Sequence, residues 1–301
     1  MDNSEESKTK IYEENGEMFD LAEEIRRSSV LFLKNFNSRK VKLASLEPRK
    51  RIFLFFLTKI IKTYSAVYAL CREGYGQDVC PLLRSSLETL ISAKYILYDP
   101  AAADKNAARF VEYKWVIFKR YLGEFEKGPL DKSQGKISSS KQLILEKFKE
   151  YKEKYGISSD RGLLTWSGKP IRDMAKLVDE KLLGEYESAF RIDSRFSHPS
   201  ILSDNEYLDY DDYILKLSPL PSDAGVVTNL KRAITYLIEF LGLFNELFGL
   251  QYEARLMELQ SRVDEVFNME KYKKEITFGK SFPNLNKKDL EKVLVQFDLP
   301  L

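Results

Sequence analysis

The 301-residue sequence contains one histidine and two cysteines, and this scarcity limits the metal and redox sites that the protein can form. Zinc is normally held by several cysteine, histidine or carboxylate ligands. Because His198 lies far along the chain from Cys71 and Cys80, no zinc site is expected. The cysteine spacing matches no metal or redox motif, and we find no secretory signal. We therefore expect free, buried thiols and a cytoplasmic protein.

Other signatures are missing as well. The sequence contains no glycine-rich dinucleotide fingerprint and no serine-hydrolase elbow, so no nicotinamide or flavin cofactor is expected. The apolar run at 52–57 is far shorter than a membrane span of about 20 residues. A longer run, 233–250, is interrupted by Glu239 and Glu246, so no membrane segment is expected. The formal net charge is +2, which provides no global attraction for nucleic acid and leaves only local basic patches open.

What the chain does contain is apolar residues at helical spacing throughout. This pattern predicts an all-α fold, a bundle of about seven to nine helices without a significant sheet. The main predicted helices cover residues 11–36, 49–72, 77–98, 104–126, 141–155, 171–178, 182–195, 222–248 and 253–267. We expect a disordered tail at 1–10, one helical domain at 11–267, and a C-terminal tail at 268–301 that could contain a short helix over 287–297.

The most informative stretch surrounds the turn at 74–76 (Gly-Tyr-Gly), which separates two predicted helices. The second of these carries Arg84 and Glu88 one turn apart, at the edge of its apolar face. Partly burying charges in such a position costs free energy unless they form an ion pair or bind a ligand. Two interpretations stay open. In one, a buried ion pair fixes the helix register. In the other, a polar pocket binds an anion or phosphate through Arg84, oriented by Glu88.

Several short motifs resemble a bacterial family of unknown function, numbered 5677. Residues 71–75 (Cys-Arg-Glu-Gly-Tyr) and 83–88 (Leu-Arg-Ser-Ser-Leu-Glu) are similar to the helix-turn-helix core of that family. Residues 166–169 (Trp-Ser-Gly-Lys), 196–200 (Phe-Ser-His-Pro-Ser) and the late apolar helix are similar to it too. The resemblance covers roughly Arg49 to Leu250. It implies an all-helical fold and carries no established activity.

Arg191 and His198, separated by six residues, resemble the arginine–histidine signature of the HEPN ribonucleases. That resemblance implies metal-independent RNA cleavage, with His198 as general acid or base and Arg191 stabilising the phosphorane. It also implies a homodimer, because two such protomers usually face each other. Two positions depart from the pattern. Ile192 follows the arginine where a polar residue is typical, and Pro199 biases His198 away from helical backbone.

A structural role for His198 remains an alternative, in which the ring bonds Asp193 or a carboxylate of the acidic loop at 203–212. The loop lacks the spacing of an EF-hand and is interpreted as exposed. If His198 folds back onto the helix that carries Arg84 and Glu88, these residues and Arg191 form one site.

Three classes of function therefore stay open. The first is a HEPN-like ribonuclease, placed by analogy in a toxin or phage-defence setting. The second is a helical module that binds an anionic small molecule or nucleotide, and the third is a non-enzymatic module with a protein partner. The sequence favours a polar site and leaves cleavage and binding undecided.

Overall fold

The structure is a computed structural model that describes residues 3–42, 45–127, 134–159, 163–197, 208–211, 214–217 and 221–273. In these residues the chain forms ten helices and one hairpin. The helices are α1 (Asn3–Ser38), α2 (Pro48–Arg72), α3 (Cys80–Leu97), α4 (Ala103–Glu112), α5 (Lys114–Lys127), α6 (Gln134–Lys154), α7 (Ile171–Val178), α8 (Glu180–Ser197), α9 (Val226–Phe248) and α10 (Glu253–Phe267). The predicted all-α bundle is confirmed.

The central helix is α2, which packs against α1, α3, α4 and α9. Ten of its residues are buried, because its apolar residues cover most of the helix circumference. Phe53 stacks on Phe240 of α9 with 5.7 Å between ring centroids. The Tyr64 hydroxyl donates to the Ala22 carbonyl of α1 at 2.8 Å. By length and composition α2 could cross a membrane; in this fold it is the core helix that four neighbours surround.

The turn between α2 and α3 packs directly on the start of α9. Gly74 adopts a left-handed φ of 80°. A Cβ on Gly76 would lie 2.5 Å from the Val226 nitrogen, so only glycine fits there. The Asn229 side-chain amide donates to the Gly76 carbonyl at 2.8 Å. The predicted break is therefore also a contact between distant parts of the chain, and α3 begins at Cys80, three residues after the predicted start.

Two predicted segments differ from the structure. Residues 1–10 were expected to be disordered, yet α1 begins at Asn3. Glu5 and Glu6 lie in its first turn, where carboxylates are favourable, and Lys8 pairs with Glu73 at 2.9 Å. The single helix predicted at 104–126 is divided into α4 and α5 at Tyr113. The Tyr113 hydroxyl donates to the Leu163 carbonyl at 2.7 Å, a tertiary contact that no local pattern encodes.

The acidic segment predicted as a loop contains a strand. In the described part of the chain, β1 (Leu208–Asp211) pairs antiparallel with β2 (Ile214–Leu217), and Asp209 lies opposite Lys216. This pair of four-residue strands is the only sheet among the described residues, apart from one isolated bridge between Tyr75 and Ser222. Residues 203–207 and 212 lie outside the described part.

The C-terminal end of the described chain packs on the bundle. Gly249 ends α9 with a left-handed φ of 58°, as predicted. After α10 the chain continues to Lys273, and Tyr272 is buried against Phe267 with 6.0 Å between ring centroids. The core therefore extends a few residues past the domain boundary predicted at 267. The segment 274–301, with its predicted helix at 287–297, lies outside the described residues.

Candidate functional site

Arg84 and Glu88 form the predicted pair on α3. Arg84 Nε donates to Glu88 Oε1 at 3.2 Å. The adjacent face of α3, with Leu83 and Leu87, is fully buried. The two charged side chains keep 34% and 38% of their surface exposed. The pair therefore lies at the edge of the core within reach of solvent, and it is not the fully buried ion pair of the first interpretation.

Neighbouring helices bring further charges toward this pair. On α2, burial lowers the pKa of Lys59, while the Glu88 carboxylate opposes that shift. On α8, burial raises the pKa of Tyr186 and Glu88 raises it further, whereas Arg84 and Arg172 oppose the shift. These residues interact electrostatically across α2, α3, α7 and α8. We call Lys59, Arg84, Glu88, Arg172 and Tyr186 the Arg84 cluster.

The charges of the Arg84 cluster and its neighbours balance. Arg84 pairs with Glu88, and Arg172 Nε donates to Glu187 Oε1 at 2.9 Å. Arg172 also lies 3.9 Å from Asp173 Oδ1, so the cations Lys59, Arg84 and Arg172 face three carboxylates. A guanidinium has five N–H donors in a fork that matches phosphate and carboxylate, so the two arginines can hydrogen-bond an oxyanion at this partly exposed site.

A second charged contact lies further along α3. Lys94 Nζ donates to Asp179 Oδ2 at 2.7 Å and also pairs with Glu239 of α9. Burial lowers the pKa of Lys94, but the two carboxylates outweigh it and the pKa is raised. Lys94 and Glu239 each lie among apolar residues of their helices, which is a signal that sequence reasoning could have used to predict their pairing. The contact fixes where α8 starts.

A third polar contact joins α8 to α9. The Tyr236 hydroxyl donates to Glu185 Oε2 at 3.0 Å, and burial raises the pKa of Tyr236. Arg232 lies 3.9 Å from the same carboxylate oxygen and donates to Asn229 Oδ1 at 3.1 Å. The Asn229 side-chain amide in turn donates to the Gly76 carbonyl. These bonds connect α8 through α9 to the turn before α3.

These contacts set the direction of α8. Asp179 accepts a hydrogen bond from Lys94 near the end of α3, and Tyr186 is within electrostatic range of Arg84 and Glu88 nearer the start of α3. Helix α8 therefore runs antiparallel to α3. The backbone of Arg191 lies on α8 five residues after Tyr186, a rise of about 7.5 Å.

The structure describes some of the predicted site residues and not others. The structure brings Arg84 and Glu88 together and puts the Arg191 backbone on the helix that packs beside them. The side chain of Arg191 and the whole of His198 lie outside the described residues. Their convergence with Arg84 stays a prediction. Lys59, Arg172 and Tyr186 were missed because no spacing in the sequence relates them to Arg84.

Comparison with known proteins identifies a family. The profile of a family of unknown function (DUF5677) matches residues 50–214, more than half of the chain. Searches of curated proteins and of solved structures returned no match. The matched region includes Arg84, Glu88, Arg191 and His198, and the comparisons contain no HEPN ribonuclease. This chain belongs to the family of unknown function DUF5677.

Proposed function

We propose that this protein is a HEPN-like, metal-independent ribonuclease in which the Arg84 cluster binds the RNA backbone beside Arg191 and His198. One observation supports this proposal most strongly. Helix α8, which packs against α3, carries Tyr186 within electrostatic range of Arg84 and Glu88 and, about one and a half turns later, carries Arg191. Chain connectivity thus links the two pairs that the sequence singled out.

The proposed chemistry needs only protein groups and the RNA itself. Neutral His198 removes the proton from a ribose 2′-hydroxyl, whose oxygen attacks the adjacent phosphorus. Arg191 stabilises the charge on the equatorial oxygens of the phosphorane. The P–O5′ bond breaks, and the leaving oxygen takes a proton from His198 of the partner subunit. The products are a 2′,3′-cyclic phosphate and a 5′-hydroxyl, and the active form is a homodimer.

The decisive experiment is cleavage of a mixed RNA pool by purified protein in the presence of EDTA. We expect cleavage by the parent protein and its loss in both His198→Ala and Arg191→Ala. Arg27→Ala, at an exposed position on α1, is the matched control and keeps activity. Circular dichroism of each variant checks that the helices form. Absence of cleavage by the parent, or equal cleavage by the variants, would overturn the ribonuclease proposal.

A second candidate function, binding without cleavage, is favoured by the two partly exposed arginines near α3 and α8, Arg84 and Arg172, whose N–H donors suit an oxyanion. In this case the protein binds an anionic small molecule or nucleotide, and RNA stays intact. Calorimetric titration with a nucleoside monophosphate tests it. We expect the heat of binding to disappear in Arg84→Gln and to persist in His198→Ala. Heat that persists unchanged in Arg84→Gln would exclude the cluster as the binding site.

A further inference from the structure

A different arginine lies among aromatic rings between α4 and α6. The Nε atom of Arg109 is buried and hydrogen-bonds to no atom in the described part of the protein. The guanidinium carbon lies 5.3 Å from the centre of the Tyr155 ring. The nearby carboxylate of Glu112 is engaged by Lys154 at 2.7 Å and by the Tyr155 hydroxyl at 3.1 Å. No carboxylate among the described residues is paired with Arg109.

Trp166 provides a second unmatched donor nearby. Its side chain is only 7% exposed, and its indole Nε1 is buried without an acceptor among the described residues. The ring packs edge-on against Tyr95 at 5.7 Å and Phe110 at 5.2 Å between centroids. Buried donors are almost always hydrogen-bonded in folded proteins, so an unmatched one points to a missing acceptor.

The two donors belong to one cluster. The Tyr151 hydroxyl donates to the Trp166 carbonyl at 3.4 Å. Burial raises the pKa of Tyr151, and hydrogen bonding and charge from the adjacent Arg109 guanidinium oppose that shift, which leaves Nε as the unmatched donor of Arg109. Tyr95, which touches the Trp166 ring, also interacts electrostatically with Arg109. Arg109 and Trp166 therefore share Tyr95 and Tyr151 as neighbours.

The segment that carries Trp166 is held firmly. Arg120 Nη2 donates to the Leu163 carbonyl at 2.5 Å, beside the bond from Tyr113. After the tryptophan, Thr165 Oγ1 donates to the Lys169 carbonyl at 2.6 Å, and the Lys169 amide donates to Ser167 Oγ at 3.1 Å. The predicted tryptophan anchor and turn are thus present. A fixed turn of this kind presents the indole N–H in one orientation.

We propose that Arg109 and Trp166 form a binding site for the oxyanion group, phosphate or carboxylate, of a small ligand. Both side chains only donate hydrogen bonds, and the guanidinium fork matches the geometry of both oxyanions. The surrounding rings of Tyr95, Phe110 and Tyr155 keep water from competing for those donors. The site is separate from the Arg84 cluster, since Tyr95 follows Arg84 by about 16 Å along α3.

Tryptophan fluorescence can test this site directly. The chain has two tryptophans, so Trp115→Phe leaves Trp166 as the only one. We titrate this variant with inorganic phosphate and with acetate, at constant ionic strength in chloride. We expect a saturable change in Trp166 emission with at least one of the two anions. The anion that binds more tightly identifies the ligand group as phosphate or carboxylate.

Further substitutions test whether the change in Trp166 emission comes from anion binding at Arg109. Adding Arg109→Gln should weaken binding at least about tenfold, equivalent to about 1.4 kcal/mol. Adding Arg27→Gln, at an exposed position on α1, should leave it unchanged. Arg109→Lys keeps the charge without the fork, and an intermediate loss is expected. A thermal melt of each variant with and without the anion gives a second readout. If neither anion changes emission or melting temperature, or if Arg109→Gln responds as the parent does, the proposal is wrong.

Discussion

Lys94 Nζ on α3 donates to Asp179 Oδ2 at 2.7 Å, and this bond crosses 85 residues of sequence to fix the junction between α7 and α8. The same ammonium pairs with Glu239, so one side chain holds three parts of the bundle together. The side chain of Lys94 is only 18% exposed. The position of α8, and with it the Arg84 cluster, depends on this contact.

Replacing Lys94 should therefore destabilise the fold. Lys94→Met leaves two partly buried carboxylates without their cation, and we expect the free energy of unfolding to fall by about 3 kcal/mol. Urea denaturation monitored by circular dichroism measures it. Lys176→Met, at an exposed position on α7, should change stability by less than about 0.5 kcal/mol. Equal midpoints for Lys94→Met and the parent would contradict the role given to this contact.

Gly76 should not tolerate a side chain. The Cβ of Gly76→Ala would lie 2.5 Å from the Val226 nitrogen and 2.7 Å from the Ala224 carbonyl oxygen. Both are backbone atoms, so α9 must shift, and we expect a loss of about 2 kcal/mol in unfolding free energy. Gly242→Ala is the control, because its Cβ meets nothing within 4 Å in the middle of α9. It should gain about 0.5–1 kcal/mol. The reverse order of the two midpoints in urea would refute this packing argument.

The contribution of Glu23 should depend on pH. Bonds at 2.7 Å from Arg26 and Arg27 lower the pKa of Glu23 from 4.5 to about 2. A pKa that is lower in the folded state gives stability above the unfolded value, which is lost as pH falls through the folded one. Glu23→Gln should thus lower stability at pH 7 by about 0.5–1 kcal/mol.

The same comparison at low pH gives the diagnostic result. The difference between the parent and Glu23→Gln should shrink between pH 4.5 and about 2. Denaturation midpoints at several pH values measure it, with Glu13→Gln as an exposed control on the same helix. A difference that stays constant down to pH 2 would show that the carboxylate charge plays no part.

Cys71 should be chemically inert in the folded protein. Its side chain is fully buried, and burial raises the pKa of the thiol to about 12. At pH 8 the reactive thiolate is then about one part in ten thousand. We expect iodoacetamide to leave Cys71 unmodified in buffer and to alkylate it in guanidinium chloride, as read by peptide mass spectrometry. Rapid native alkylation would show that the helix opens more readily than its packing implies.

The sequence pattern predicted the features that depend on interactions between residues close together in the sequence. Helical spacing located most helix ends to within a few residues, but α1 begins eight residues and α6 seven residues before the predicted start. The spacing of Arg84 and Glu88 correctly implied their contact. The division at Tyr113 was missed because it is slight: Tyr113 keeps a helical backbone, and the Ile117 amide still donates to its carbonyl at 3.3 Å. Strand β1 was missed because its four residues are too few for an alternation to stand out.

The same limit applies to the candidate sites. Lys59 and Tyr186 reach the Arg84 cluster from other helices, and Arg109 and Trp166 share neighbours only once α4 and the 163–169 segment are folded together. Pairing between residues on different helices depends on how the helices are arranged, which periodicity does not specify. A charge set among apolar residues of a helix, such as Lys94, was a usable signal that a partner lies on another helix.

The stacking of Phe53 on Phe240 has a consequence for synthesis in the cell. The two residues are 187 positions apart in the sequence. At about 5–20 residues per second, a ribosome needs roughly 10–40 s to add the second after the first. During that time the face of α2 that contains Phe53 is not yet covered by α9. This apolar face stays exposed, and chaperones can bind it, until α9 has been synthesised and packs against α2.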